Sequence, residues 1–179
     1  MKQLLATLIA TLLIQTHAAQ PPPNIQVYFS PRGGCTEAIV NTLDRATNSL
    51  LVQAYSFTSA PIAKALVDAH KRGIKVSVIL DKSQRTEKYS SADFLKNYHV
   101  PTYIDARHAI AHNKIIIADQ HTVITGSFNF TKSAEENNAE NLLVIDDPNL
   151  AAKYIQNWEV HHKHSKAYTG KPKSRRWKN

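Results

Sequence analysis

Cysteine occurs once in the 179 residues, at Cys35, which excludes an intrachain disulfide and any thiolate zinc cage. Glycine occurs five times and methionine once, far too little glycine for a collagen or a flexible linker array. Long apolar runs are also scarce. The stretch Leu4–Ile14 is broken only by Thr7 and Thr11 and would make a helix of roughly 16 Å, about half the hydrocarbon core of a bilayer. Acidic residues are missing altogether from the last nineteen positions, His161–Asn179, which hold Lys163, Lys166, Lys171, Lys173, Arg175, Arg176 and Lys178.

What remains is ordinary globular material, 42% hydrophobic and 20% charged, with a formal charge of +8. The segment 19–160 carries 14 basic and 14 acidic residues. The expectation is therefore a neutral catalytic or binding domain over 19–160, followed by a basic tail over 161–179. Such a tail suits a polyanion, either nucleic acid or an anionic membrane surface, and Trp177 within it could stack on a base. Residues 1–18 read as a signal peptide: Lys2 gives a positive start, the apolar run follows, and Ala18 offers a small residue for cleavage. A periplasmic or secreted protein is the corresponding expectation.

Strand and helix patterns alternate along the domain. Strands are expected over 25–29, 50–57, 75–80, 102–105, 114–118, 122–125 and 141–145. Helices are expected over 36–46, from Ser59 to Arg72, over 91–98, and from Pro148 to at least His161. Near-continuous apolar strands such as Ile115-Ile116-Ile117 need cover on two sides. The predicted fold class is α/β, with a mixed, largely buried β-sheet covered by helices on both faces.

The chemistry concentrates in His112–Asn129. His112 and Lys114 are two apart on an expected strand, so they leave the same face. Ser127 and Asn129 are two apart at the end of the next one. A hairpin would bring all four to one sheet edge, with Asp119-Gln120-His121 as its turn. Lys, Ser and Asn can donate to phosphate oxygens, and an imidazole can attack phosphorus or carry a proton. No dense carboxylate cluster accompanies them, so neither a metal nor another cofactor is expected. His108 and His112 would suit a metal only on a helix, and His161, His162 and His164 could bind a metal but read first as a solvated basic helix end.

The spacing His-x-Lys-x4-Asp-x6-Gly-Ser-x-Asn resembles the signature of the phospholipase D superfamily, specifically its small single-motif bacterial nucleases. The resemblance extends through Ser30-Pro31, Ala54-Tyr55-Ser56-Phe57-Thr58, Lys71-Arg72-Gly73 and Gly126-Ser127-Phe128-Asn129-Phe130-Thr131. It implies that His112 is the nucleophile, that Lys114 and Asn129 bind phosphate, that Ser127 supports the site and that Glu140 orients an imidazole. Asp119 matches the motif but would lie away from the phosphate. One motif supplies one histidine of this kind, whereas the reaction needs a second group as acid. The resemblance therefore implies a homodimer, although His99, His108 or His121 could supply the second imidazole within one chain. The expected substrate is DNA, with RNA as a further one. Anionic phospholipid is the alternative, and a non-catalytic basic nucleic-acid-binding protein is the second alternative.

Overall fold

Alternation of apolar strands with amphipathic helices builds an α/β architecture, which the computed structural model describes over residues 22–171. Strands β1 (Asn24–Ser30), β2 (Ser49–Ala54), β3 (Lys75–Asp81), β4 (Thr102–Asp105), β5 (Lys114–Ala118), β6 (Thr122–Gly126), β7 (Glu140–Asp146) and β8 (Lys166–Ala167) form one sheet. Their order is β1-β7-β6-β5-β2-β3-β4-β8. The pairs β2–β3 and β3–β4 are parallel, and the others are antiparallel. Helices α1 (Cys35–Arg45), α2 (Ala60–Lys71), α3 (Ala92–Asn97), α4 (Lys132–Glu136) and α5 (Pro148–His164) complete the fold.

Side-chain alternation divides the sheet between two cores. Ile116 and Ile124 join Leu50, Val52, Val78 and Leu80 beneath Ile39 and Leu43 of α1 and Leu66 of α2. Ile115, Ile117 and Val123 point the other way and pack with Ile79 against Ala151 and Trp158 of α5. This is why β5 reads as an unbroken apolar run: both of its faces are covered. Helix α5 starts sharply because the Asp147 carboxylate accepts from the N–H groups of Asn149 (2.8 Å) and Leu150 (3.1 Å), with Pro148 in the first turn. Cys35 is buried at the start of α1. Burial, aided by Glu135, pushes its thiol up to about 11, so it stays an unreactive packing residue.

Cover on the α5 side is incomplete. Ile25 pairs with Ile145, and Ile145 pairs with Val123 under α5, so Ile25, Val27 and Phe29 share that side. They are nevertheless 53%, 50% and 65% exposed. An apolar strip therefore runs along β1, beyond the reach of the helix.

The boundary expected at residue 160 falls inside α5. The helix continues to His164, β8 then pairs with β4 through Tyr103 and Ala167, and the buried Tyr168 donates its hydroxyl to Asp93 (2.8 Å). The basic segment belongs to the fold as far as Lys171, because these tertiary contacts outweigh its polar composition. The expected signal peptide over 1–18 and Lys173, Arg175, Arg176, Trp177 and Lys178 lie outside the described residues. Strand β2 also ends earlier than expected, at Ala54, after which Phe57 makes an isolated bridge to Phe130.

The β5–β6 hairpin closes through Asp119 and Gln120, with φ of 53° and 60° and a bond from the His121 N–H to the Ala118 carbonyl (3.0 Å). Two consecutive left-handed residues match the twist of a tight hairpin. The Asp119 carboxylate also accepts from the N–H groups of Thr47 (2.9 Å), Asn48 (2.7 Å) and Ser49 (3.0 Å) and from the Thr47 hydroxyl (3.0 Å). Burial opposes its ionisation, but these donors prevail and hold the carboxyl below its ordinary range. Asp119→Ala should cost about 1–2 kcal/mol, the lower part of the range for charged hydrogen bonds because the group is partly solvated. Because the folded-state value is depressed, this contribution is complete above the unfolded carboxylate range and fades as pH falls through the folded value. Denaturant melts of both proteins across acidic pH check this: the gap between them should close on acidification.

Candidate active site

The carboxyl ends of β1, β2 and β6 meet the amino ends of β5 and β7 at one edge of the sheet. Register brings the motif together there. Ile116 pairs with Ile124, and continuing that antiparallel count sets Lys114 opposite Gly126. Gly126 is required at this point: its φ is 148°, and a Cβ would lie 2.3 Å from the Asn141 carbonyl oxygen. The close approach lets the N–H groups of Ser127 (3.1 Å) and Phe128 (3.3 Å) both donate to that carbonyl. Phe128 and Phe130 turn into the core, which presents Ser127 and Asn129 at the edge.

His112 lies in the loop before β5 rather than on the strand itself. The loop is pinned on several sides. Buried Asp81, at the end of β3, accepts from the Ala111 N–H (2.8 Å). The Tyr55 N–H donates to the Asn113 carbonyl (2.9 Å), and the Asn113 amide donates to Gln53 (3.0 Å). Lys114 is only 7% exposed. Its ammonium donates to the His112 carbonyl (2.8 Å) and to His112 Nδ1 (3.2 Å). It also lies 5.3 Å from the Tyr55 ring centroid, and the imidazole packs 4.6 Å from the same ring. Burial holds Lys114 below the usual lysine range, against the pull of Glu140. The imidazole remains exposed.

Beside this pair, Ser127 Oγ donates to Glu140 (2.6 Å) and accepts from the Asn141 N–H (3.1 Å). Glu140 also accepts from the Asn138 amide (3.1 Å), and its own N–H donates to Ser30 Oγ (3.1 Å). Glu140 thus braces Ser127 and makes no bond to the His112 of its own chain. Asn129 Oδ1 is buried without a hydrogen-bond partner, which leaves an acceptor for an N–H or O–H donor such as water, while the side-chain amide N–H groups are the donors it can offer an anion. Donors from Lys114 and Asn129 beside an exposed imidazole, with the Ser127 hydroxyl committed to Glu140, can hold a tetrahedral anion against a nucleophile.

The structure does not bring Asp119 to this edge. It lies past the far end of β5, about 16 Å of strand from Lys114, and its carboxylate is occupied with the Thr47–Ser49 loop. Asp119 is a turn and loop-anchoring residue and not a catalytic one. Of the basic segment, Lys163 and Lys166 are exposed. Lys171 pairs with Asp93 (3.8 Å) and donates to the Lys88 carbonyl (3.2 Å), so its charge is partly opposed.

The expectation of a solvated histidine cluster at the helix end does not hold. His161 and His164 turn inward to Asp105 together with His108, and His162 stacks on Trp158 at 4.9 Å. Asp105 thereby joins three histidines from distant parts of the chain. Burial raises the Asp105 carboxyl, but bonds from the imidazoles bring it well below its usual range. Sequence reasoning gave Tyr55 and Ser30 no site role and passed over Asn138 and Asp81. All four stand at strand ends on the catalytic edge or in contact with it, and this was the available signal.

Comparison with known proteins bears on the fold and the family. Residues 39–161 match the family model described as cardiolipin synthase, PLD-like domain. A protein of Rickettsia felis named phospholipase D is 46% identical over 134 residues, covering 75% of this chain and 67% of that protein. The crystal structure of the phospholipase D family member Nuc from Salmonella typhimurium superposes with a TM-score of 0.79 at 39% identity, covering 82% of this chain and 99% of that one. NucT from Helicobacter pylori gives a TM-score of 0.77 at 26% identity, covering 82% and 100%.

Since folding pays to desolvate the Lys114 ammonium, Lys114→Met should leave stability unchanged or raise it by about 1 kcal/mol, while activity falls at least a hundredfold. Paired thermal melts and phosphodiester turnover would check this. A large loss of stability would mean that the ammonium is structural.

Proposed function

The chain belongs to the phospholipase D superfamily and is a phosphodiester hydrolase, and from that premise we propose that it cleaves DNA, with RNA as a further substrate, through a phosphohistidine on His112 and without a catalytic metal. The observation that carries this reading is the buried Lys114 ammonium held on Nδ1 of an exposed His112.

An ammonium only donates, so while that contact lasts Nδ1 accepts and the ring proton sits on Nε2. A phosphodiester entering the edge takes over the Lys114 donors, with Asn129 on a second oxygen. Nδ1 is then free to hold the proton, and the Nε2 lone pair faces phosphorus. Nε2 forms the N–P bond as the P–O bond to the leaving alkoxide breaks, and a second imidazole protonates that alkoxide. Water then attacks phosphorus, the N–P bond breaks, and the same second imidazole takes the proton. Ser127, fixed by Glu140, supports the phosphate-binding edge.

The second imidazole comes from another copy of the chain. The exposed strip Ile25, Val27 and Phe29 leads directly to Ser30 and its pair Glu140 at the site, and exposed apolar strand faces of this kind are partner surfaces. Glu140, without contact to its own His112, can orient only the partner's imidazole. Export is part of the same reading: Leu4–Ile14 after Lys2 directs the chain to the periplasm or outside.

The basic residues of the C-terminal segment, Lys163, Lys166, Lys173, Arg175, Arg176 and Lys178, suit a polyanion of either kind, and DNA is favoured because the sequence has no long apolar run after Leu4–Ile14 to enter a lipid surface. Engaging all six would contribute about −5 to the slope of log affinity against log salt, an upper bound. Among the described residues, no helix is long and apolar enough to cross a membrane. Anionic phospholipid is the second reading, favoured by the name of the Rickettsia relative. A purely binding role has no use for an exposed imidazole braced by a buried ammonium.

Turnover of plasmid DNA should continue in millimolar EDTA, with anionic vesicles cleaved much more slowly. When wild type and His112→Ala are mixed and their subunits exchanged, activity should fall as the square of the wild-type fraction. A linear fall would place both catalytic groups in one chain, and faster turnover of vesicles would move the substrate to lipid.

A further inference from the structure

Opposite the catalytic machinery in chain order, the loop after β4 and the last turn of α5 meet around one carboxylate. Asp105 Oδ2 lies 2.9 Å from His108 Nδ1, 2.9 Å from His161 Nδ1 and 3.2 Å from His164 Nε2. The four candidate ligand atoms all lie within 4.8 Å of one another. Asp105 is fully buried, and the side chains of His161 and His164 are each 15% exposed.

We propose that Asp105, His108, His161 and His164 form a structural Zn²⁺ site that ties the β4–β5 loop to the end of α5. Zinc held tetrahedrally at 2.0–2.1 Å separates neighbouring ligand atoms by about 3.3 Å. The three oxygen–nitrogen distances already fall near that edge length, and the nitrogens, which lie within 4.8 Å of one another, draw together by side-chain rotation when the ion binds. Hydrogen bonding alone accounts for the cluster poorly. A carboxylate oxygen offers two lone pairs, yet three imidazole nitrogens crowd onto Oδ2, while Oδ1 is occupied by the Arg107 N–H (3.0 Å). A single cation among the four atoms removes the surplus donor and uses every nitrogen as a ligand.

The scaffold suits the role. Asp105 at the end of β4 and His108 in the following loop are spaced i, i+3, and His161 and His164 are spaced i, i+3 on one helix, a two-plus-two arrangement that clamps distant segments. The Arg107 N–H fixes the carboxylate from behind, as outer-shell donors do at metal sites. Three imidazoles and one carboxylate fit Zn²⁺ by donor type, whereas Mg²⁺ and Ca²⁺ take oxygen ligands. No hydrogen bond or ring contact joins the cluster to His112 or Lys114 among the described residues, so the metal holds the fold and takes no part in cleavage.

The test uses the full chain dialysed against EDTA and then freed of chelator. Titration with Zn²⁺ should give one ion per chain at submicromolar affinity and raise the melting temperature by several degrees at saturation. Co²⁺ in its place should show the visible absorption of a tetrahedral site, a readout independent of any variant. His108→Gln and His164→Gln should each weaken binding at least tenfold and abolish the cobalt bands. His112→Gln, which removes the exposed imidazole nearest in sequence, should bind as wild type. Absence of submicromolar zinc binding, or binding and cobalt spectra unchanged in both His108→Gln and His164→Gln, would overturn the proposal. None of these readouts depends on the substrate or on turnover.

Discussion

Taking a lysine ammonium out of water costs several kcal/mol unless its donors are met, and the catalytic edge is built around meeting that demand for Lys114. The strand register places it opposite Ala54 and next to the close approach at Gly126. The His112 carbonyl and imidazole receive its protons, and the Tyr55 ring covers it. Each of these groups is held by a second element: Asp81 of β3 fixes the loop that carries His112, and β7 supplies Asn141 and Glu140 to brace the turn after β6. Pulling Lys114 to this depth therefore organises five strand ends at once. Its charge is kept at this depth by the fold at a cost in stability.

Where side-chain pattern alone decides an element, the sequence was readable. β4 and β5 have the expected bounds, since branched apolar residues flanked by polar turns leave few alternatives. The convergence of His112 and Lys114 with Ser127 and Asn129 was also legible, because it needs only a tight hairpin and a period of two. Elements defined by long-range contact were not. α4 is five mostly polar residues and carries no apolar period. β8 is two residues whose only evidence is their partner, β4. Asp105 lies more than fifty residues from His161 and His164, so no local spacing could group them. Histidines that looked solvated beside Lys163 proved to be turned inward by the path of α5 across the sheet.

Asp119 shows how a motif position and a functional position can differ. Its distance from the phosphate-binding edge follows from strand length, and its four hydrogen bonds serve the loop between α1 and β2. It belongs to the pattern because the hairpin must turn there for Lys114 and Ser127 to meet. The uncovered face of β1 has a comparable logic. One helix cannot shield eight strands, and the strip left open ends at the edge that carries His112 and Lys114.

The most direct test of the central claim, that His112 carries the phosphoryl group, is to quench the enzyme during DNA turnover with an alkaline denaturant and map the modified peptide by mass spectrometry. A base-stable, acid-labile phosphoramidate on His112, absent from His112→Asn, is the expected result. Turnover without any such adduct in rapidly quenched samples, or an adduct on another residue, would contradict it.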